Sequence, residues 1–367
     1  MKKYQTQKIR NYVQKILEGN DVLPVKARVV ADVLIEADLR GIYSHGINNL
    51  DILIINSIKA GGTNPKAIPI DITKNKNLCI RHINAMGDLG GYTAMKAVKL
   101  VKALARKYGM GKVYITNANH FGALAIYSEE IAKDKDLAGR VTCTTPSVMK
   151  PFGGTKNRLG TNPLSISIPY DQGVVTIDMA TTVHAMSGIN KAIIENTTFP
   201  FPVLDRNGIE TTDPQTFLNP LDFAKNGSMI PLGGLGKDKG LKADAGFKGS
   251  GLAILIELDN VIGGGKSGGI SPVINTKKRR IRQTFEAYRI DSLFSKKEAL
   301  KQISETIKDI REFGPSTMMM PGEKEQRQRN KSLKTGIEYS EIQIKRLEKL
   351  GEEVGLPAIS KFNLNHI

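Results

Sequence analysis

The chain is short of the residues that build sites on their own: it has no Trp, two Cys and five His in 367 residues. Two Cys, Cys79 and Cys143, make neither a disulfide framework nor a thiolate cluster for a metal. Thiols without a disulfide pattern suit a reducing, cytoplasmic setting. No His-x-x-x-His spacing and no His/Cys pairing marks a metal site, so none is expected. Long apolar runs are missing too. The longest, around Leu252 to Ile262, is broken by Glu257 and Asp259 and falls short of the ~20 residues that cross a bilayer. The opening MKKYQTQKIRNYVQ has basic residues but no apolar stretch behind them, so neither a secretory signal nor membrane attachment is expected.

What is present is ordinary globular material: 40% hydrophobic and 24% charged residues, enough chain for two domains or one large interwoven one. The 53 basic against 36 acidic residues leave a formal charge of +17, which raises nucleic acid as a partner. The Lys residues, however, are spread through the whole chain. The one dense run, Lys277-Lys278-Arg279-Arg280-Ile281-Arg282, has no interleaved aromatics. A solvated basic surface is the better reading, with no specific nucleic-acid partner expected.

Hydrophobic periodicity predicts helices over 4–18, 25–39 and 47–59, then a strand over 77–83 and a long helix over 92–108 opened by Gly90-Gly91. Strands follow at 112–116 and 141–145, with a helix at 123–133 between them. The runs 164–168 and 174–178 are joined by a Gly-containing turn and read as a hairpin. Residues 190–250 are irregular and too long for a simple connection. A buried helix over 251–262, a strand over 284–290 and helices over 296–311, 323–334 and 340–354 complete the chain. Strands in the middle with helices at both ends predict an α+β fold. Residues 1–75 form a helical segment packing with 295–367, and 76–294 form the sheet domain.

Four places carry candidate chemistry. In LRGIYSHGINNL (39–50), Ser44 and His45 stand side by side between Gly41 and Gly46, as a cap and a polar loop residue or as a hydroxyl–imidazole pair. His120 follows a strand in NANHFG, where a rigid element holds a loop. An imidazole there can give and accept a proton, and a structural His is the competing reading. Asp178, at the end of TID, suits orienting a His, binding a ribose hydroxyl or capping a helix. Glycines with Lys248 at the start of the 251–262 helix suit an anion such as a cofactor phosphate, or simply a flexible loop. His184 reads as packing, and His82 and His366 as incidental. Gly263 to Gly269, GGGKSGG, satisfies a dinucleotide-binding spacing but follows a helix, and Asn260 stands where a P-loop needs its first Gly. It reads as a helix-terminating loop.

These pieces, in this order, resemble the malate/L-lactate dehydrogenase family that is distinct from the Rossmann-type enzymes. The matching stretches are RGIYSHGIN at 40–48, NANHFG at 117–122, LGTNPLSISIP at 159–169, IDMATT at 177–182, PLGG at 231–234, FKGSGLA at 247–253 and MPGEKEQRQR at 320–329. The resemblance implies an NAD- or NADP-dependent oxidoreductase interconverting small 2-hydroxy and 2-oxo acids such as malate/oxaloacetate or a lactate-like pair. It also implies a mostly antiparallel, non-Rossmann cofactor-binding sheet with flanking helices, and a homodimer. By the same resemblance His45 and His120 are the acid/base candidates, and Ser44 hydrogen-bonds the substrate oxygen. Thr144 and Thr145, the run Thr176, Ile177, Asp178, Met179 and Ala180, Phe247 with Lys248, and Gly322 with Glu323 line the cofactor site. Asn49 occupies the substrate-binding position where the family usually has Arg, and Asn cannot supply the charge that holds a carboxylate. Ser187-Gly188 stands where a Gly-Lys pair is usual, and a strand that usually opens with small residues begins Arg280-Ile281-Arg282. A catalytically impaired member that binds a nucleotide or a partner is the alternative these departures imply.

Overall fold

The computed structural model describes residues 2–186, 188–189, 192, 197–198, 202–217, 227–234, 245–264, 281–315 and 317–362. It is a mixed α/β structure built on a central mixed sheet. In chain order the strands are β1 (Lys2–Tyr4), β2 (Ile70–Asp71), β3 (Ile80–Asn84), β4 (Met110–Ala118), β5 (Leu137–Cys143), β6 (Leu164–Tyr170), β7 (Gly173–Met179), β8 (Val203–Leu204), β9 (Glu210–Thr211), β10 (Ile281–Arg289) and β11 (Ile337–Tyr339). The helices are α1 (Thr6–Gly19), α2 (Pro24–Leu39), α3 (Asn56–Lys59), α4 (Gly90–Tyr108), α5 (Ala125–Ala132), α6 (Pro214–Phe217), α7 (Gly246–Ile262), α8 (Lys296–Glu312), α9 (Glu323–Thr335) and α10 (Glu341–Glu352). The main sheet runs β2-β3-β4-β10-β5-β6-β7. Only the β3–β4 pair is parallel; β4–β10 and β10–β5 put a late strand antiparallel between two early ones. The hairpin predicted around residue 171 is β6–β7, with Leu164 opposite Met179.

Two of the three buried clusters among the described residues position the site. In one, α1 buries Ile9, Tyr12, Val13, Ile16 and Leu17, an i, i+3, i+4, i+7 stripe. That stripe packs with Leu34 and Leu39 of α2 and with Ile337, Tyr339, Ile344 and Leu347 from the far end of the chain. In the other, Val98, Val101 and Leu104 of α4 meet Val113, Ile115, Val141 and Phe285 of the sheet. Each such side chain gains roughly 1.5–3 kcal/mol by leaving water. No described helix is long and apolar enough to cross a membrane.

Two helices differ from the sequence reading. The segment after His45 is helical, but Leu50–Ile55 winds as a π-helix before becoming α3. Side-chain periodicity does not separate a π turn from an α turn in so short a run. The helix predicted as buried, α7, starts earlier, at Gly246, and exposes Ile254, Leu255, Leu258 and Ile262. It covers the sheet with one side only, and that side carries the polar Glu257 and Asn260, so the apolar pattern does not say which side is buried. The GGGKSGG motif follows this helix directly. Residues 265–269 of it and 277–280 of the basic run lie outside the described residues, as do Ser187 and His366.

A buried ion pair fastens the loop that precedes α4. Lys26 Nζ lies 2.7 Å from Asp88 Oδ1, and both side chains are almost fully buried. Burial raises the Asp88 carboxyl above its usual range, opposed chiefly by its bond to Lys26. Lys26→Met strands that charge, and the expected loss is about 3–5 kcal/mol in urea unfolding followed by circular dichroism. A folded-state pKa that is raised means stability falls as pH rises, so the loss is larger at pH 8 than at pH 5.

Candidate active site

The site is assembled from four parts of the chain that meet at the end of the sheet. The first is the turn after α2. Gly41, at φ +76°, ends that helix: its N–H reaches Asp38 O and the N–H of Ile42 reaches Ala37 O. This double closure suits a residue free to enter the left-handed region. The chain then turns through Ser44 and His45. The second part is the β4–α5 loop. Asn119 donates to the carbonyls of Gly87 and Asp88 and accepts at its own carbonyl from Gln283 Nε2, so the loop is held from two sides. Gly90, at the start of α4, lies so close to the carbonyls of Asn119 and His120 that any side chain there would collide. That contact explains Gly90; a side chain at Gly91 would meet only ordinary contacts. The end of β7 (Thr176 to Ala180) and the Pro321-Gly322 turn before α9 complete the wall.

Together they enclose a cavity of about 760 Å³. His45 and His120 meet in it with ring centroids 5.7 Å apart and planes 25° from parallel. Gly122 N–H donates to His120 Nδ1 over 3.3 Å, so the neutral ring carries its hydrogen on Nε2. Gly122 sits at φ +88°, a conformation that favours glycine. Ser44 Oγ is 2.9 Å from His45 Nδ1. Burial pushes the His45 imidazole down to about 4, so this ring is neutral at neutral pH. Asp178 is pushed up to about 6 by burial, although its Oδ2 accepts the Ala125 N–H at 2.8 Å. It caps α5, more than fifty residues earlier, and not the segment that follows it.

Of the residues named from the sequence, Ser44, His45, Asn49, His120, Thr145, Thr176, Ile177, Asp178, Met179, Ala180 and Gly322 line this one cavity. Thr144, Phe247, Lys248 and Glu323 do not. Thr144 is fully buried, exchanging hydrogen bonds with the backbone of Arg282; in extended chain it points away from Thr145. Phe247 is exposed against Phe152, and the Lys248 ammonium lies over its ring. Glu323 turns to Arg311, while Glu325, two residues on and on the other side of α9, reaches the cavity. His82 bonds Thr116 Oγ1 at 3.0 Å on β3, away from the cavity.

Sequence reasoning assigned no role to Arg40, Glu129 or Glu325, which also line the wall. Arg40 is nearly buried, bridging Glu129 at 2.7 Å and Glu36 at 2.8 Å, and Arg329 joins Glu36 from α9. A guanidinium directly after a mostly apolar helix was the available signal. The Cys143 thiol also faces the cavity, but burial pushes it far up and it is no nucleophile. Among the described residues no group of three His, Cys, Asp or Glu could hold a metal ion.

Two adjacent imidazoles, one kept neutral, in a walled cavity suit proton transfer at a carbonyl or alcohol oxygen. An oxidoreductase is one class of enzyme such a site serves. The comparisons agree: the malate/L-lactate dehydrogenase family model matches residues 4–348. An L-sulfolactate dehydrogenase of Methanocaldococcus jannaschii is 32% identical over 336 residues, covering 90% of this chain and 91% of that protein. A malate/(S)-sulfolactate dehydrogenase of Methanothermus fervidus is 29% identical, covering 95% and 96%. The crystal structure of a malate dehydrogenase from Entamoeba histolytica superposes with a TM-score of 0.87 at 25% identity, over 97% of this chain and 99% of that one. The chain belongs to the malate/L-lactate dehydrogenase family and is an oxidoreductase of that family.

Proposed function

We propose that the cavity interconverts a small 2-hydroxy acid, of the malate or sulfolactate kind, with its 2-oxo acid, using NAD or NADP. The carrying observation is the stacked pair His45 and His120, with His45 held neutral. Two imidazolium rings at that separation repel each other. A neutral His45 therefore leaves His120 free to hold the proton. In reduction the His120 imidazolium, protonated on both nitrogens, gives one proton to the developing alkoxide, and in oxidation the neutral ring takes the hydroxyl proton. Ser44 and His45 orient the substrate oxygen beside it, and the apolar neighbours Ile52, Leu53 and Phe121 exclude water.

A cavity of about 760 Å³ is within the range of small-molecule and cofactor sites. Its wall residues Thr145, Thr176 to Ala180 and Gly322 would hold a nicotinamide nucleotide. When bound, that group supplies the hydride. The exposed apolar side of α7 supports a homodimer, and the lack of a disulfide framework supports a cytoplasmic setting. Purified protein is expected to oxidise NADH or NADPH with at least one 2-oxo acid; a folded protein silent across a broad panel overturns the reading.

Asn49 favours a second reading, an impaired member. It lines the cavity where a guanidinium would bind a carboxylate bidentately. Asn49→Arg is expected to lower KM for a 2-oxo acid about tenfold, since a charged hydrogen-bond pair adds ~1.5–3 kcal/mol. A rise from no measurable turnover to clear turnover supports the impaired reading.

A further inference from the structure

We infer that Asp38 is the positioning residue for His45, binding the histidine turn to the C-terminal segment of the chain. The inference rests on the proposed role of the His45–His120 pair. Asp38 lies in the last turn of α2 and is wholly buried. Its Oδ2 accepts the Ile47 N–H at 3.0 Å, two residues beyond His45, and the Tyr339 hydroxyl at 2.8 Å. Tyr339 belongs to β11, about three hundred residues away. Both donors converge on one oxygen. The other, Oδ1, has no hydrogen-bond partner among the described residues and faces Gly46, where a Cβ would overlap the carboxylate outright.

Nothing in packing alone asks for a carboxylate here, since an unpartnered buried oxygen is costly. Its geometry does answer one need. A single side chain grips the backbone on the far side of His45 while the helix end at Gly41 grips the near side. The C-terminal helix adds two further ties to the same stretch: Gln343 donates to Asn48 Oδ1 at 3.3 Å, and Arg346 donates to Asp51 Oδ2 at 3.3 Å. Burial pushes the Asp38 carboxyl up to about 7, opposed by the bonds from Ile47 and Tyr339, while Tyr43 is the other ionisable ring it acts on. The His45 turn is thus held by the end of the chain through one buried carboxylate.

The test needs no turnover. Wild-type protein, Tyr339→Phe and Asp38→Asn are treated briefly with diethyl pyrocarbonate at pH 7, and acylation of each His is read by peptide mass mapping, with His120 and His82 as internal references. Tyr339→Phe removes only the hydroxyl. The expected result is a severalfold rise in the His45 to His120 ratio, with His82 unchanged and circular dichroism native. Asp38→Asn keeps one accepting oxygen and is expected to give a smaller rise, serving as the second variant if Tyr339→Phe does not fold. An unchanged ratio in a folded variant overturns the inference, as does an equal rise at all three His, which marks general loosening. Where the wild type turns over, the same variants lower kcat more than they raise KM. If no 2-oxo acid is reduced, the proposed function fails while the reactivity ratio still decides this one.

Discussion

His120→Asn lowers kcat for reduction of the preferred 2-oxo acid by about a thousandfold, within the range for a lost general acid, and leaves nucleotide binding near its wild-type strength. The expectation follows from the difference between the two rings. His45 stays neutral down to about pH 4, because burial strips the water that would stabilise its charged form. A ring that stays neutral is a poor proton donor at neutral pH. His120 is oriented by the Gly122 N–H, and on the proposed function its imidazolium carries the moving proton. The pH profile discriminates further. Because the donor must carry the transferred proton, the wild-type rate of reduction falls as pH rises, and His45 adds no limb above about pH 5. In His120→Asn the limb disappears and the small residual rate is flat. His45→Asn is expected to cost less than His120→Asn. If steady-state kinetics rank the two variants the other way, His45 is the donor and the burial reading of the site is wrong.

The parts of the fold that the sequence shows are those set by local periodicity. The apolar stripe on α1 and the long α4 lie within one or two residues of where spacing puts them, and so does the β6–β7 hairpin. These elements bury one face each, so their pattern states their surroundings. The place of β10 between β4 and β5 is not legible this way, because strand neighbours far apart in the chain leave no mark on local periodicity. The site follows the same division. His45 and His120 stand out because each sits in a glycine-bounded loop next to a regular element. Thr144, next to Thr145, and Glu323, two residues before Glu325, lie off the cavity wall. Alternation along extended chain and rotation around a helix turn neighbours to opposite sides, and a motif names a stretch, not a face. Arg40 escaped because its partners Glu36, Glu129 and, through Glu36, Arg329 are drawn from three helices. Asp38 was read only as part of a helix end. Its two donors lie nine and about three hundred residues away, and no spacing rule joins them.

Gly46→Ala is expected to cost about 4 kcal/mol or more of unfolding free energy and most of the activity. Gly46 has no unusual backbone angle to excuse its identity. What fixes it is space: a Cβ would fall on the Asp38 carboxylate, which has no room to retreat because Ile47 N–H and Tyr339 hold its other oxygen. Either the turn lifts off α2, or the carboxylate swings away and leaves two buried donors unpaired. Overpacking costs about 1–3 kcal/mol and each orphaned donor adds about 1–3. Both routes displace His45 from His120, so the loss of activity and of stability share one origin. A double-mutant cycle makes this checkable. Asp38→Ala vacates the space that the new methyl needs, so Gly46→Ala on that background is expected to cost well under half of what it costs alone, measured by urea unfolding. Full additivity of the two substitutions would mean that the glycine is kept for some reason other than the buried carboxylate beneath it.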